Sequence, residues 1–298
     1  MTFGTLLAAS VLTLHLIPSP KGIHWTKPQA LAISAIRNEI ARSPAGKRHP
    51  IGHVSVELSC GDQHLYTAMT SQNDSEERRA LLHGYGLGVL FKDYAGRLET
   101  SKEVSADLKA MNRVGRSSFV RFFISDATCA RLMTYLREYH ANGYDRIYAG
   151  LNGRPLRRQG SGCSAFGASF VELAGLMTPE FETQWMQTRI APKRFVGGPL
   201  THRRVSVLKI LFAFRAPWAT DPEQGFLLHF WDPEKMDHWA RQAYRDLRAA
   251  RAQGASHPAR AFPWPAVAVS LGKSPGVAFD ATHVPTPDGP IFQDAFDD

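Results

Sequence analysis

The chain has 298 residues, with 35 lysines and arginines against 27 aspartates and glutamates, a net charge of +8. That length allows one large domain or two small ones, and an apolar share of 44% is enough for a substantial core. The positive balance favours anionic surroundings, either anionic lipid or acidic envelope polymers. The chain has no zinc-finger spacing and no RNA-binding aromatic signature, so nucleic acid is not expected as a partner.

Residues 2–17 are almost wholly apolar and are followed by Pro18-Ser19-Pro20. The run is too short for a membrane span, so no stable transmembrane segment is expected. It reads as the apolar centre of a secretory signal peptide, although the positive start is missing. The expectation is therefore export, with residues 1–24 removed and the protein periplasmic or secreted. The alternative is a hydrophobic N-terminal element docked on the core.

Residues 28–42 read as an amphipathic helix with Leu31, Ile33, Ile36 and Ile40 on one face, broken by Gly46-Lys47-Arg48-His49-Pro50. Two strands are expected next, at residues 53–58 and 65–69, joined by the turn Cys60-Gly61-Asp62-Gln63. Residues 73–79 are polar and read as a loop. Residues 83–91 carry Gly-x-Gly-x-Gly without a following helix start, which argues against a dinucleotide site and for a strand crossing closely packed backbone.

Residues 118–124 read as a strand. Ser125 or Asp126 then caps a helix carrying Cys129, Leu132, Met133, Leu136 and Tyr139, which ends before Asn142-Gly143. Residues 144–151 read as extended, and Asn152-Gly153-Arg154-Pro155 as a turn. Gly160-Ser161-Gly162-Cys163-Ser164-Ala165-Phe166 then places a cysteine where a glycine-rich loop becomes a short apolar helix, stopped at Gly175. A cysteine in a first helical turn sits over unpaired N–H groups and the positive end of the helix dipole, which favour thiolate. Beyond residue 177, residues 205–214 read as a strand and Asp232-Pro233-Glu234 opens a helix to about residue 253. Residues 222–230 are ambiguous. From residue 255 proline and glycine are frequent, and residues 294–298 form an acidic tail.

A thiolate nucleophile needs a proton carrier, and His53, at the head of the first hairpin strand, is the best candidate. Of the other two cysteines, a Cys60–Cys129 bridge that leaves Cys163 free fits both an exported protein and the chemistry, though spacing does not decide it. His229, Asp232 and His238 match no zinc spacing and read as packing beside Trp231 and Trp239, so no metal and no cofactor is expected. Tyr148, Asn152 and Arg154 precede the cysteine and line either a cleft or only a turn. Basic clusters at Arg154/Arg157/Arg158, Lys193/Arg194 and His202/Arg203/Arg204 read as solvated surface, or as a face for an anionic partner.

The order of a histidine-bearing hairpin followed about a hundred residues later by a cysteine-bearing helix resembles the circularly permuted branch of the papain-like amidases. That group includes cell-wall peptidases and, in a related arrangement, the lecithin:retinol acyltransferase family. Gly52-His53-Val54 and Gly162-Cys163-Ser164-Ala165-Phe166 carry the resemblance, which covers about residues 45–177. It implies an α+β fold, with an antiparallel sheet packed against the cysteine helix in a core of residues 25–177. Residues 178–298 would be a C-terminal extension packed on that core.

The resemblance further implies that Cys163 attacks an acyl carbon, that His53 carries the proton, and that the Cys163 N–H helps hold the oxyanion. Gly162, Ser164 and Tyr148 would line the cleft. A third polar group would orient His53: His64 by count along the following strand, or Thr67 or its neighbour Tyr66 if the alignment is anchored on the Gly61-Asp62 turn. A strict two-residue hairpin would instead place Ser59 opposite His64. The function so implied is a cysteine hydrolase that cleaves an amide, in a peptide or cell-wall peptide, through a thioester. The alternatives are a lipid-directed acyltransferase or thioesterase on the same site, and a catalytically idle binding protein for an anionic envelope partner.

Overall fold

The computed structural model describes residues 10–41, 43–44, 49–73, 75–253 and 262–293. Residues 2–9, Gly46-Lys47-Arg48 and the acidic tail, all singled out in the sequence, lie outside the described residues. In chain order the elements are β1 (Ser10–Ile17), α1 (Pro28–Ile40), β2 (His53–Cys60), β3 (Gln63–Thr67), β4 (Met69–Ser71) and α2 (Ser75–Leu82). Next come β5 (Tyr94–Leu98), α3 (Ser101–Val114), β6 (Ser118–Ile124), α4 (Asp126–Ala141), β7 (Ile147–Tyr148), α5 (Cys163–Leu173) and α6 (Pro179–Trp185). The chain closes with β8 (Met186–Pro192), α7 (Val207–Leu211), β9 (Gly225–Trp231), α8 (Pro233–Ala252), β10 (Ala266–Leu271) and β11 (Ser274–Asp280).

The fold is α+β. Six strands form the main sheet in the order β10-β11-β6-β1-β2-β3, antiparallel except for the parallel β11–β6 pair. Because side chains alternate along a strand, one face collects Leu12, Leu14 and Leu16 with Val54, Val56, Leu58, Val120 and Phe122, all with no exposed surface. Onto this face pack α4, α5, α6 and α8 through Cys129, Tyr135, Phe166, Phe170, Phe181 and Trp239. The opposite face is more polar. There α3 packs through Val104, Leu108 and Met111 against Ile17 and Ala68.

One expectation about the start of the chain is corrected here. The apolar segment read as a signal peptide is, over Ser10–Ile17, a central strand paired on both sides, with β2 and β6. Cleavage after the first two dozen residues would remove it, so the docked-element alternative describes this segment. The described part of residues 178–298 packs on the rest of the chain and also adds to it. β10 and β11 complete the main sheet and α8 lies across it, while β8, α7 and β9 build a second cluster with Leu31 of α1 around Phe195, Ile210, Trp218 and Phe230.

Several local expectations hold. The hairpin turn is the two-residue Gly61-Asp62, Ser125 caps α4, and Asp232 caps α8. Others differ for identifiable reasons. Residues 205–214 form α7 rather than a strand, because the Ser206 hydroxyl caps the Leu208 N–H. The polar run at 73–79 enters α2. Of residues 144–151 only Ile147–Tyr148 is a strand. Residues 83–91 are not a strand either: Tyr85 and Gly86 make isolated bridges and Leu87–Phe91 is a 3-10 helix. The close backbone approach expected there is present, since a Cβ on Gly86 would lie 2.5 Å from the Phe195 carbonyl oxygen.

The first helix is turned about its axis. In α1 Leu31, Ser34 and Asn38 form the buried face, while Ile33, Ile36 and Ile40 face outward. α1 packs on irregular chain, and the backbone groups of that chain need partners. Asn38 accepts from the Lys21 N–H and donates to the Gly22 carbonyl, Ser34 accepts from the His24 N–H, and Gln29 donates to the Leu211 carbonyl.

Candidate active site

Cys163 is the first residue of α5, with Gly162 at the N-cap and no side chain capping the first turn. The N-cap residue therefore puts no side-chain acceptor over the first turn, whose positive dipole end favours an anion. The loop before it is held by Ser161, fully buried and hydrogen-bonded to the Tyr139 hydroxyl at 3.0 Å. Opposite, β3 pairs with β2 only from Val56 onward. Beyond that point the Val54 N–H lies near the Cys163 sulfur and helps stabilise its charge. Gly52, with φ of +82°, delivers the chain into β2 between Pro233 and the Ile17 carbonyl, so that His53 stands at the strand's head.

The His53 ring lies beside the Cys163 sulfur, close enough for each to shift the other's pKa, and its Nε2 donates to Glu99 Oε2 at 2.9 Å. With Nε2 taken by the carboxylate, Nδ1 is the nitrogen left for sulfur. Cysteine, imidazole and carboxylate thus form one chain, and all three residues are buried. Glu99 is fixed between elements. Its N–H donates to the Ala68 carbonyl at 2.7 Å, and the next residue, Thr100, forms a capping box with Glu103 at the start of α3.

Burial alone would lower the His53 pKa. The charge and hydrogen bond of Cys163, followed by Glu99, outweigh it and raise the imidazole to about 10. Burial pushes the Cys163 thiol up, but the His53 charge and hydrogen bond, the Val54 N–H and the Tyr148 hydroxyl bring it below the ordinary thiol value. Both shifts favour a thiolate–imidazolium pair. The Tyr148 hydroxyl reaches Cys163 Sγ at 4.0 Å as a donor, and its oxygen faces the Cys163 backbone N–H, which donates toward it. The hydroxyl and the N–H thus sit together beside the sulfur, and burial together with the cysteine charge keeps the phenol protonated.

A second imidazole–carboxylate pair backs the first. The His49 ring stacks on His53 with centroids 4.5 Å apart and planes 17° from parallel, and its Nε2 donates to Asp107 Oδ2 at 2.7 Å. Burial and the neighbouring His53 charge hold the His49 pKa below its usual value, against the pull of Asp107. Asp107 comes from α3, so one helix supplies Asp107 and fixes Glu99 at its approach.

The structure brings together Cys163, His53, Gly162, Ser164 and Tyr148 as expected. It does not bring His64. The register puts His64 opposite Ser59, six residues or about 20 Å along β2 from His53. There His64 is half exposed and donates to Glu57, which also accepts from the buried His15 at 2.9 Å. Thr67 lies opposite Val56, and the group on His53 is Glu99 instead. Asn152 braces the β9 backbone through the Leu227 carbonyl and the His229 N–H. His229 pairs with Thr188, and Trp231 and Trp239 both pack on Trp185. Cys60 and Cys129 are disulfide-bonded, with Cα atoms 5.7 Å apart, and Cys163 is free. The chain matches no protein-family model, no curated protein and no solved structure.

Proposed function

We propose that this protein is a cysteine hydrolase that cleaves an amide through a thioester. The observation that carries the reading is the buried chain from Cys163 sulfur through the His53 ring to Glu99, set at a helix start. The Cys163 thiolate attacks the acyl carbon. Charge then develops on the carbonyl oxygen beside the Cys163 N–H and the Tyr148 hydroxyl, which are placed to donate to it. The His53 imidazolium gives its proton to the leaving amine as the tetrahedral intermediate collapses to the thioester. Water attacks next, with His53 accepting its proton. Sulfur then leaves and the carboxylic acid is released. Glu99 holds the ring orientation and balances its charge throughout.

The histidine-first order and the helix-borne nucleophile support kinship with the permuted papain-like amidases, with Glu99 as orienting group. The Cys60–Cys129 bridge supports an oxidising compartment, hence a periplasmic or secreted protein acting on peptide or cell-wall peptide. The test is amine release from cell-wall peptides and simple peptide amides by the purified protein. The reading requires turnover by wild type and none by C163A of equal thermal stability. Undiminished turnover by C163A would refute it. A lipid-directed acyl transfer on the same residues is the second reading, favoured by the apolar surface described next.

A further inference from the structure

Three strongly exposed apolar residues stand on and just after α7: Leu208 at 60%, Phe212 at 69% and Phe214 at 61%. The rings of Phe212 and Phe214 meet edge to face, with centroids 6.3 Å apart. The segment is pinned to α1, since Gln29 donates to the Leu211 carbonyl and Lys27 to the Phe214 carbonyl. Gln29 heads a helical stripe that continues through Ile33, Ile36 and Ile40 at spacings of four, three and four residues, and those three isoleucines are also exposed. Two neighbouring elements thus turn apolar side chains to one side of the molecule, with the second hydrophobic cluster beneath them. Monomeric surfaces rarely carry so many large apolar groups together without a use.

The charge around this surface indicates what covers it. Between residues 193 and 220 stand Lys193, Arg194, Arg203, Arg204, Lys209 and Arg215, with no aspartate or glutamate. Lys209 and Arg215 are exposed within the apolar group itself. A soluble polyanion would use the cations and leave the phenylalanines in water. A second copy of this chain would bring the same cations face to face. A bilayer bearing anionic headgroups satisfies both, taking the aromatic and aliphatic side chains at the headgroup boundary and pairing phosphates with the cations around them. No described helix is long and apolar enough to cross a membrane, so contact would be peripheral.

We propose that the α1–α7 surface docks this protein on an anionic phospholipid bilayer, with Leu208, Phe212 and Phe214 inserted and Lys209 and Arg215 at the phosphates. Docking does not depend on the thiol chemistry, so it is tested with C163A protein. Vesicle flotation is run with phosphatidylcholine alone and with phosphatidylcholine containing phosphatidylglycerol. The expected result is binding to the anionic vesicles only, weakened at least tenfold by F212S/F214S and also by K209E/R215E, with the thermal midpoint of both variants unchanged. An independent I36S variant should weaken it by a smaller factor. Failure to bind anionic vesicles would overturn the proposal. So would equal binding by F212S/F214S, which would show adsorption by charge alone. Conversion of a wild-type dimer to a monomer by F212S/F214S would overturn it too, since a second copy would then be the occupant.

Discussion

The imidazoles of His49 and His53 lie face to face, with centroids 4.5 Å apart, each holding its own carboxylate: Asp107 at 2.7 Å and Glu99 at 2.9 Å. The two rings titrate in opposite directions, His53 upward and His49 downward. A neutral His49 gives the charged His53 ring a flat, buried support without repelling it.

Replacing His49 by glutamine keeps a donor for Asp107 and removes the stacked ring. H49Q is expected to fold and to lose about tenfold in kcat/KM, roughly 1.4 kcal/mol of transition-state stabilisation. The pH profile separates positioning from structure. His49 resists protonation in the native state, whereas the unfolded chain takes up its proton near the ordinary value of about 6.5. This residue therefore removes stability as pH falls below that value. Urea melts at pH 7 and pH 5 should show a smaller loss in H49Q than in wild type, while the kcat/KM deficit persists at pH 7.

Glu99 is expected to outweigh His64 by a wide margin. E99Q retains an acceptor but not the charge, so the upper pH limb set by His53 should move down from about 10 and kcat should fall between about tenfold and a hundredfold. H64A should leave kcat and the pH profile unchanged, because His64 pairs with Glu57 on a distant part of the hairpin. Steady-state kinetics of the two variants decides between them, and equal losses would contradict the geometry.

Cys163 and the histidine beside it could be picked out in the sequence as candidates because local chemistry marks them: a glycine-rich loop running into a helix at Cys163, and the head of a strand at His53. Glu99 carries no such mark. It is brought to His53 by the meeting of β5 and α3, which lies 46 residues away in sequence. The α3 helix itself has a readable start in Thr100-x-x-Glu103 and a stop at Gly115, but its inner stripe includes Asp107 beside Val104, Leu108 and Met111, so apolar spacing alone understates it. In α1 the apolar stripe was plain and its direction was not, since backbone hydrogen bonding by Asn38 and Ser34 decided which face turned inward. For Ser10–Ile17 an apolar run of strand length fits a leader and a buried strand equally, and only the pairing with β2 and β6 separates them.

That pairing makes a direct prediction. A chain starting at residue 25 lacks the strand between β2 and β6 and should be insoluble or lose cooperative unfolding. Equal melting of the residue-25 and full-length proteins by circular dichroism would contradict the sheet order.

The Cys60–Cys129 bridge closes a span of 69 residues and ties the far end of β2 to α4. Chain-entropy arguments assign such a link about 4 kcal/mol. C60S/C129S should therefore lower the urea midpoint substantially, and dithiothreitol should do the same to wild type without touching the variant.

The central claim is that Cys163 is a thiolate held by His53, and the rate of its alkylation against pH tests it most directly. Its lowered pKa means that reactivity should persist at pH 6, below the free thiol range near 8.5. Brief iodoacetamide treatment at pH 6, read by mass spectrometry, should modify Cys163 in the wild type, and H53A should slow that labelling and move its midpoint upward. If Cys163 were unmodified at pH 6 and equally slow in both proteins until they unfold, the thiolate–imidazolium account would be wrong.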